Sequence, residues 1–87
     1  MEHKIGRVTH YYNRLGVAVL ELSDQLKVGD AVHILGHTTN FTQQVESLEI
    51  EHEKVEMVNP GAEVALKVND KVRQGDALYK VSEPQVS

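Results

Sequence analysis

Leu26-Lys27-Val28-Gly29-Asp30-Ala31-Val32-His33-Ile34-Leu35-Gly36 decides the fold class. A Gly-Asp turn opens the run, and Val32 and Ile34 then share one face. A period of two residues marks a strand with one buried face. The same pattern extends outward from this stretch. Glu63-Val64-Ala65-Leu66-Lys67-Val68 puts Val64, Leu66 and Val68 on one face, and Leu48-Glu49-Ile50-Glu51 sets apolar against acidic residues in strict turn. Gly16-Val17-Ala18-Val19-Leu20 is apolar throughout, as a strand covered on both faces would be. Valine, at 13 residues, far outnumbers alanine, at 5. β-Branched side chains are stiff at χ1 and suit a pleated surface better than a helix. No window of eleven or more residues keeps a 3.6-residue period.

Turn signals cut the chain into short runs at Asn13-Arg14, Val28-Gly29-Asp30, Gly36-His37, Asn59-Pro60-Gly61, Asn69-Asp70 and Gln74-Gly75-Asp76. Six strands are expected, over 4–12, 15–22, 30–36, 40–52, 62–68 and 76–82. The apolar parity slips in Val45-Glu46-Ser47-Leu48, which predicts a bulge near Glu46-Ser47. Asp70 to Gln74 reads as a loop. Six short strands in so small a chain favour a closed barrel, because closure removes exposed edges. The expected organisation is one barrel domain over 1–82 and a flexible tail over 83–87. Lys27-Val28-Gly29-Asp30-Ala31-Val32-His33 echoes Arg73-Gln74-Gly75-Asp76-Ala77-Leu78-Tyr79, by convergent turn chemistry or by duplication.

The 87 residues suffice for one small core. A formal charge of −4 argues against a general nucleic-acid binder, whose domain is usually basic. The absence of Cys removes disulfides, thiolate metal sites and cysteine nucleophiles, and favours a cytoplasmic setting. No apolar run is long enough to span a membrane. His33 and His37 are four apart but on strand and turn, and His52-Glu53-Lys54-Val55-Glu56 lacks the second His and the helix of a zinc signature. No metal and no cofactor are expected. Neither a G-x-S-x-G elbow nor a G-x-x-x-x-G-K-[ST] loop is present, so neither acyl transfer nor nucleoside triphosphate binding is expected, and the chain reads as a non-enzyme.

Four surface features are candidates for contact with a partner. Glu46, Glu49, Glu51, Glu53 and Glu56 form an acidic stripe. Lys4, Arg7, Arg14 and Lys27, together with Lys67, Lys71, Arg73 and Lys80, would form one positive face if the last strand pairs near the first. Tyr11 and Tyr12 point to opposite faces of their strand, so one of them belongs to the core. The segment from Gly36 through Gln44 is polar and uncharged, and its His37, Thr38, Thr39, Asn40 and Phe41 can hydrogen-bond or stack in several directions.

The order of motifs resembles a known family. Ile5-Gly6-Arg7-Val8, Gly16-Val17-Ala18-Val19, the stretch 26–36, Val45-Glu46-Ser47-Leu48-Glu49-Ile50 and Pro60-Gly61-Ala62-Glu63-Val64-Ala65-Leu66 look like the second domain of elongation factor Tu-type GTPases. That resemblance implies a six-stranded closed antiparallel Greek-key barrel. It also implies contact with RNA, a tRNA end or ribosomal RNA, at Gly16, Val17, Val19 and Glu49. Lys67 departs from the family's apolar run, and either meets a phosphate instead or marks the loss of that pocket. Gly36-His37-Thr38-Thr39-Asn40-Phe41-Thr42-Gln43 and Ile50-Glu51-His52-Glu53 are similar to the small C-terminal barrel of U32 peptidase-like proteins, also found as free-standing elongation factor-like proteins. The two resemblances imply different partners. One reading is a translation factor-like, RNA-contacting module; the other is a protein-interaction accessory module for a U32-type or translation protein.

Overall fold

The computed structural model describes residues 2–81, so the tail expected at 83–87 lies outside the described residues. Among the described residues ten strands form: β1 (Glu2–Tyr12), β2 (Val17–Leu22), β3 (Leu26–Lys27), β4 (Ala31–Leu35), β5 (Asn40–Gln44), β6 (Leu48–Ile50), β7 (Glu53–Val55), β8 (Met57–Val58), β9 (Glu63–Lys67) and β10 (Ala77–Val81). Eight of them make one antiparallel sheet in the order β5-β4-β10-β1-β2-β9-β6-β7, and β3 pairs with β8 in a separate ribbon. The chain is all-β, but the closed six-stranded barrel is not what forms. The sheet has eight strands, with β5 and β7 at its edges.

The difference has local causes. The run 40–52 is two strands with different partners. β5 stays with β4, while β6 crosses to β9. The parity slip marks that change of partner instead of a bulge. Between the two strands, buried Val45 donates its N–H to Asp30 O and accepts from Gly29 N. β5 approaches the end of β9 through a side chain and not through a ladder. The Gln43 amide donates to Lys67 O at 2.9 Å and accepts from Asn69 N at 2.7 Å. Bulges do occur, but in β1, between Lys4 and Gly6 and between Val8 and His10. They bend the one long strand so that its first half pairs with β10 and its second with β2.

The alternating positions form the core. Val32, Ile34, Val64 and Leu66 are buried, together with Ile5, Val8, Leu20, Leu48 and Leu78. The ribbon adds Leu26 and Val58. Val72, in the 70–74 loop, is buried as well. Tyr11 packs against this core and Tyr12 is 49% exposed, as their opposite faces require.

The sequence echo corresponds to matched geometry. Gly29 and Gly75 take φ of 98° and 95°. Asp30 N donates to Lys27 O as Asp76 N does to Arg73 O. The carboxylate of each Asp accepts the N–H three residues earlier, at 3.0 and 2.8 Å. Gly29 and Asp30 then bond Val45 as Gly75 and Asp76 bond Val8. Each turn feeds one of two adjacent strands, β4 and β10.

Candidate polypeptide-binding groove

The outward face of β2 builds the site. Ala18, Leu20 and Leu22 point into the core, while Val17 and Val19 are only partly covered. The all-apolar run is therefore not a strand covered on both faces. Its second apolar face lines an open groove of about 750 Å³. Cross-strand register sets the floor. Val19 lies opposite Ala65 on β9, and Ala65 lies opposite Glu49 on β6. In the next row Tyr12 faces Val17, which faces Lys67. Leu15, 69% exposed in the β1–β2 turn, forms one lip, and Ile50 and Ala62 line the other side.

The rim is acidic. Glu49, Glu51 and Glu63 line the groove with His52, and no Lys or Arg is among the lining residues. Lys54 faces Glu49 across β7, and Lys67 stands beyond Val17; both lie outside the lining. Glu51 and His52 connect β6 to β7 with φ of 51° and 69°. Positive φ at both central residues of a two-residue hairpin is the mirror-image turn that strongly favours Asn-Gly. Bulky residues there cost roughly 1–2 kcal/mol each. The two groove-rim side chains are thus carried on a backbone for which they are poorly suited.

Of the residues singled out from sequence, Val17, Val19 and Glu49 come together in this groove. Gly16 supplies the left-handed turn (φ 66°) that starts β2, and its O accepts Val68 N. The His37–Phe41 segment lies elsewhere, at the β4–β5 hairpin. Thr39 is 4% exposed and its O accepts Gly36 N, Asn40 bonds His33, and Phe41 packs on the core. Sequence reasoning missed Leu15, Ile50, Ala62 and Ala65 as groove residues, and singled out Tyr12 only as one of a pair on opposite faces. The available signal was the β2 run itself, with more apolar residues than one core face needs. The last strand does pair with the first, as the expected positive face requires, and two of that face's eight cations are ion-paired: Arg7 with Glu21 at 3.2 Å and Lys80 with Asp30 at 3.3 Å. The acidic rim opposes the acceptor-end reading, since carboxylates repel a phosphate backbone.

Among the described residues no three His, Asp or Glu side chains converge to hold a metal ion, and no helix is long and apolar enough to cross a membrane. The His33 pKa is held above its ordinary value. Its Nδ1 lies 2.8 Å from Glu2 Oε1 and its Nε2 2.6 Å from Asn40 Oδ1. The hydrogen bond to Glu2, then that to Asn40, favours the imidazolium over burial, which opposes it.

No protein-family model matches the chain. It is 41% identical over 81 residues to an uncharacterized protease of Methanocaldococcus jannaschii, covering 92% of this chain and 20% of that protein. It is 38% identical over 78 residues to a collagenase of Porphyromonas gingivalis, covering 87% of this chain and 22% of that one. The chain thus spans about a fifth of the length of the curated relatives it matches. The relatives' names, protease and collagenase, overturn the expectation that the chain reads as a non-enzyme, and they give no support to the elongation factor or RNA-binding reading. Among solved structures, the C-terminal domain of a Geobacillus thermoleovorans protein assigned to the U32 peptidases superposes with a TM-score of 0.85. It is 24% identical, over 91% of this chain and 92% of that one. A selenomethionine form of the same domain gives 0.83. The chain therefore has the fold of a U32 peptidase C-terminal domain.

Proposed function

We propose that this chain is an accessory module of the U32 peptidase type, which engages protein through the groove over β2, β9 and β6. The observation that carries this reading is the pattern of coverage. Nearly the whole chain aligns with a fifth of proteins named protease and collagenase, and its fold is that of a peptidase's C-terminal domain. Within that role, Val17, Val19 and Glu49 are the contact residues, Gly16 shapes the start of β2, and Lys67 borders the groove. His37, Thr38, Thr39, Asn40 and Phe41 serve the hairpin.

The test is a chimera of the Porphyromonas gingivalis collagenase in which this chain replaces the matched 78 residues. Collagen cleavage should exceed that of a folded variant lacking the segment by about tenfold, the scale of a lost remote binding site. Val19→Glu in the chimera should remove the gain. A folded chimera no better than the deletion overturns the reading.

A further inference from the structure

The groove's shape and charge specify its ligand more narrowly, on the reading of the chain as a peptidase-type module. The floor is apolar and the rim bears three carboxylates with no lysine or arginine among the lining residues. An apolar floor selects apolar side chains, and an acidic rim selects cations and discriminates against anions. The floor crosses four neighbouring strands, β1, β2, β9 and β6. At about 4.8 Å between strands it is about 14 Å across, which about four extended residues span at roughly 3.3 Å each. Alternate side chains of an extended segment point the same way, so two apolar residues can rest on the floor together. Long basic side chains from the flanking positions can then lie along the apolar wall and place their charge at the rim. The Glu51-His52 turn stands at this rim in a conformation that Asn-Gly would adopt more cheaply. Strain retained at a groove mouth is the kind of outlier from which a binding role follows.

We propose that the groove binds an extended polypeptide segment with two apolar residues at alternate positions and flanking lysine or arginine, held by Val17, Val19 and Ala65 below and by Glu49 and Glu51 at the rim. A second copy of this chain, or a single-stranded nucleic acid, would be a different occupant and would give different outcomes in the test below.

The experiment is an amide NMR titration of the whole chain with Lys-Val-Ser-Val-Lys, Ser-Val-Ser-Val-Ser and Glu-Val-Ser-Val-Glu peptides. The lysine peptide should shift the amides of Val17, Val19, Ala65 and Glu49. It should bind at least about tenfold more tightly than the glutamate peptide, and less tightly as salt rises. Glu49→Gln with Glu51→Gln should weaken the lysine peptide several-fold and leave the serine peptide nearly unchanged. Val19→Glu should abolish apolar docking in a chain whose amide spectrum remains that of the folded protein. Glu51→Asn with His52→Gly should raise Tm by about 4 °C or more while weakening the lysine peptide. Equal binding of the lysine and glutamate peptides, shifts outside the groove, displacement by oligoadenylate, or self-association in sedimentation that Val19→Glu abolishes would each overturn the proposal. If the collagenase chimera works but no peptide binds, the ligand assignment fails and the module reading stands. If peptide binds but a folded chimera is inert, the module reading fails.

Discussion

The groove face of β2 and the β4–β5 hairpin are opposites in how their sequence relates to their availability. The hairpin is rich in hydroxyls and amides, yet its amide side chains and buried backbone are engaged within the fold: the Thr39 carbonyl accepts Gly36 N, Asn40 bonds His33, and the Gln43 amide spans to Lys67 and Asn69, while His37 and Thr38 stay exposed. β2 is apolar at four successive positions, Val17 to Leu20, and reads as interior, yet Val17 and Val19 face an open groove. Polarity in a loop does not make it a binding loop, because buried polar groups seek partners within the fold first. Apolar side chains on a strand are core only on the face that another layer covers.

The sharpest way to break this comparison lies within β2 itself. Leu20→Ala, on the core face, should destabilise by about 2–5 kcal/mol. Val19→Ala, one residue away, should cost about 1 kcal/mol or less. Urea denaturation measures both, and equal losses would mean that the groove face is core after all.

The next effects fall at the hairpin. A methyl group at Gly36 would overlap the Asp76 carboxylate, so Gly36→Ala should cost about 1–3 kcal/mol. Gln43→Ala leaves Lys67 O and Asn69 N without their partner and should also cost about 1–3 kcal/mol. Neither change should alter peptide affinity, whereas Thr38→Ala, at an exposed position, should change stability by less than about 0.5 kcal/mol. Loss of peptide binding in a folded Gln43→Ala variant would return the hairpin to the site.

The smallest effect is a pH dependence. The His33 pKa is raised above 6.5 in the folded chain by Glu2 and Asn40. The imidazolium is therefore favoured by folding, and its contribution is complete below the unfolded value. That contribution is lost as pH rises through the folded pKa. Tm should decline slightly from about pH 6.5 upward, and His33→Gln should flatten the decline. A profile that rises with pH in the wild type alone would contradict this assignment. Because Glu2 is partly exposed, added salt should also shrink the effect.

Much of the core was legible from period-two alternation, since Val32, Ile34, Val64 and Leu66 are buried where the pattern puts them. The Gly-Asp turns were legible too, because a left-handed glycine and an Asp that caps its own turn are local chemistry. The U32-type resemblance rested on residues around the hairpin and the Glu51-His52 turn, and the fold agrees with it. The β6–β7 hairpin was not legible, because Glu51-His52 carries no Gly, Asn or Pro to announce a turn. The strand count failed for a related reason. Parity shows that a strand is interrupted near Val45, but not whether it resumes beside the same neighbour.

What the sequence determined by itself was the strand character of the chain, its twin turns and one inward face for its main strands, all set by interactions between residues close in the chain. Only the tertiary structure decided that β6 crosses to β9, that Gln43 takes the place of a ladder, and that Val17, Val19, Ala65 and Glu49 meet in one groove. Those outcomes depend on which strands become neighbours, and strand pairing is a contest among distant segments with similar local preferences, settled by how well the whole core packs.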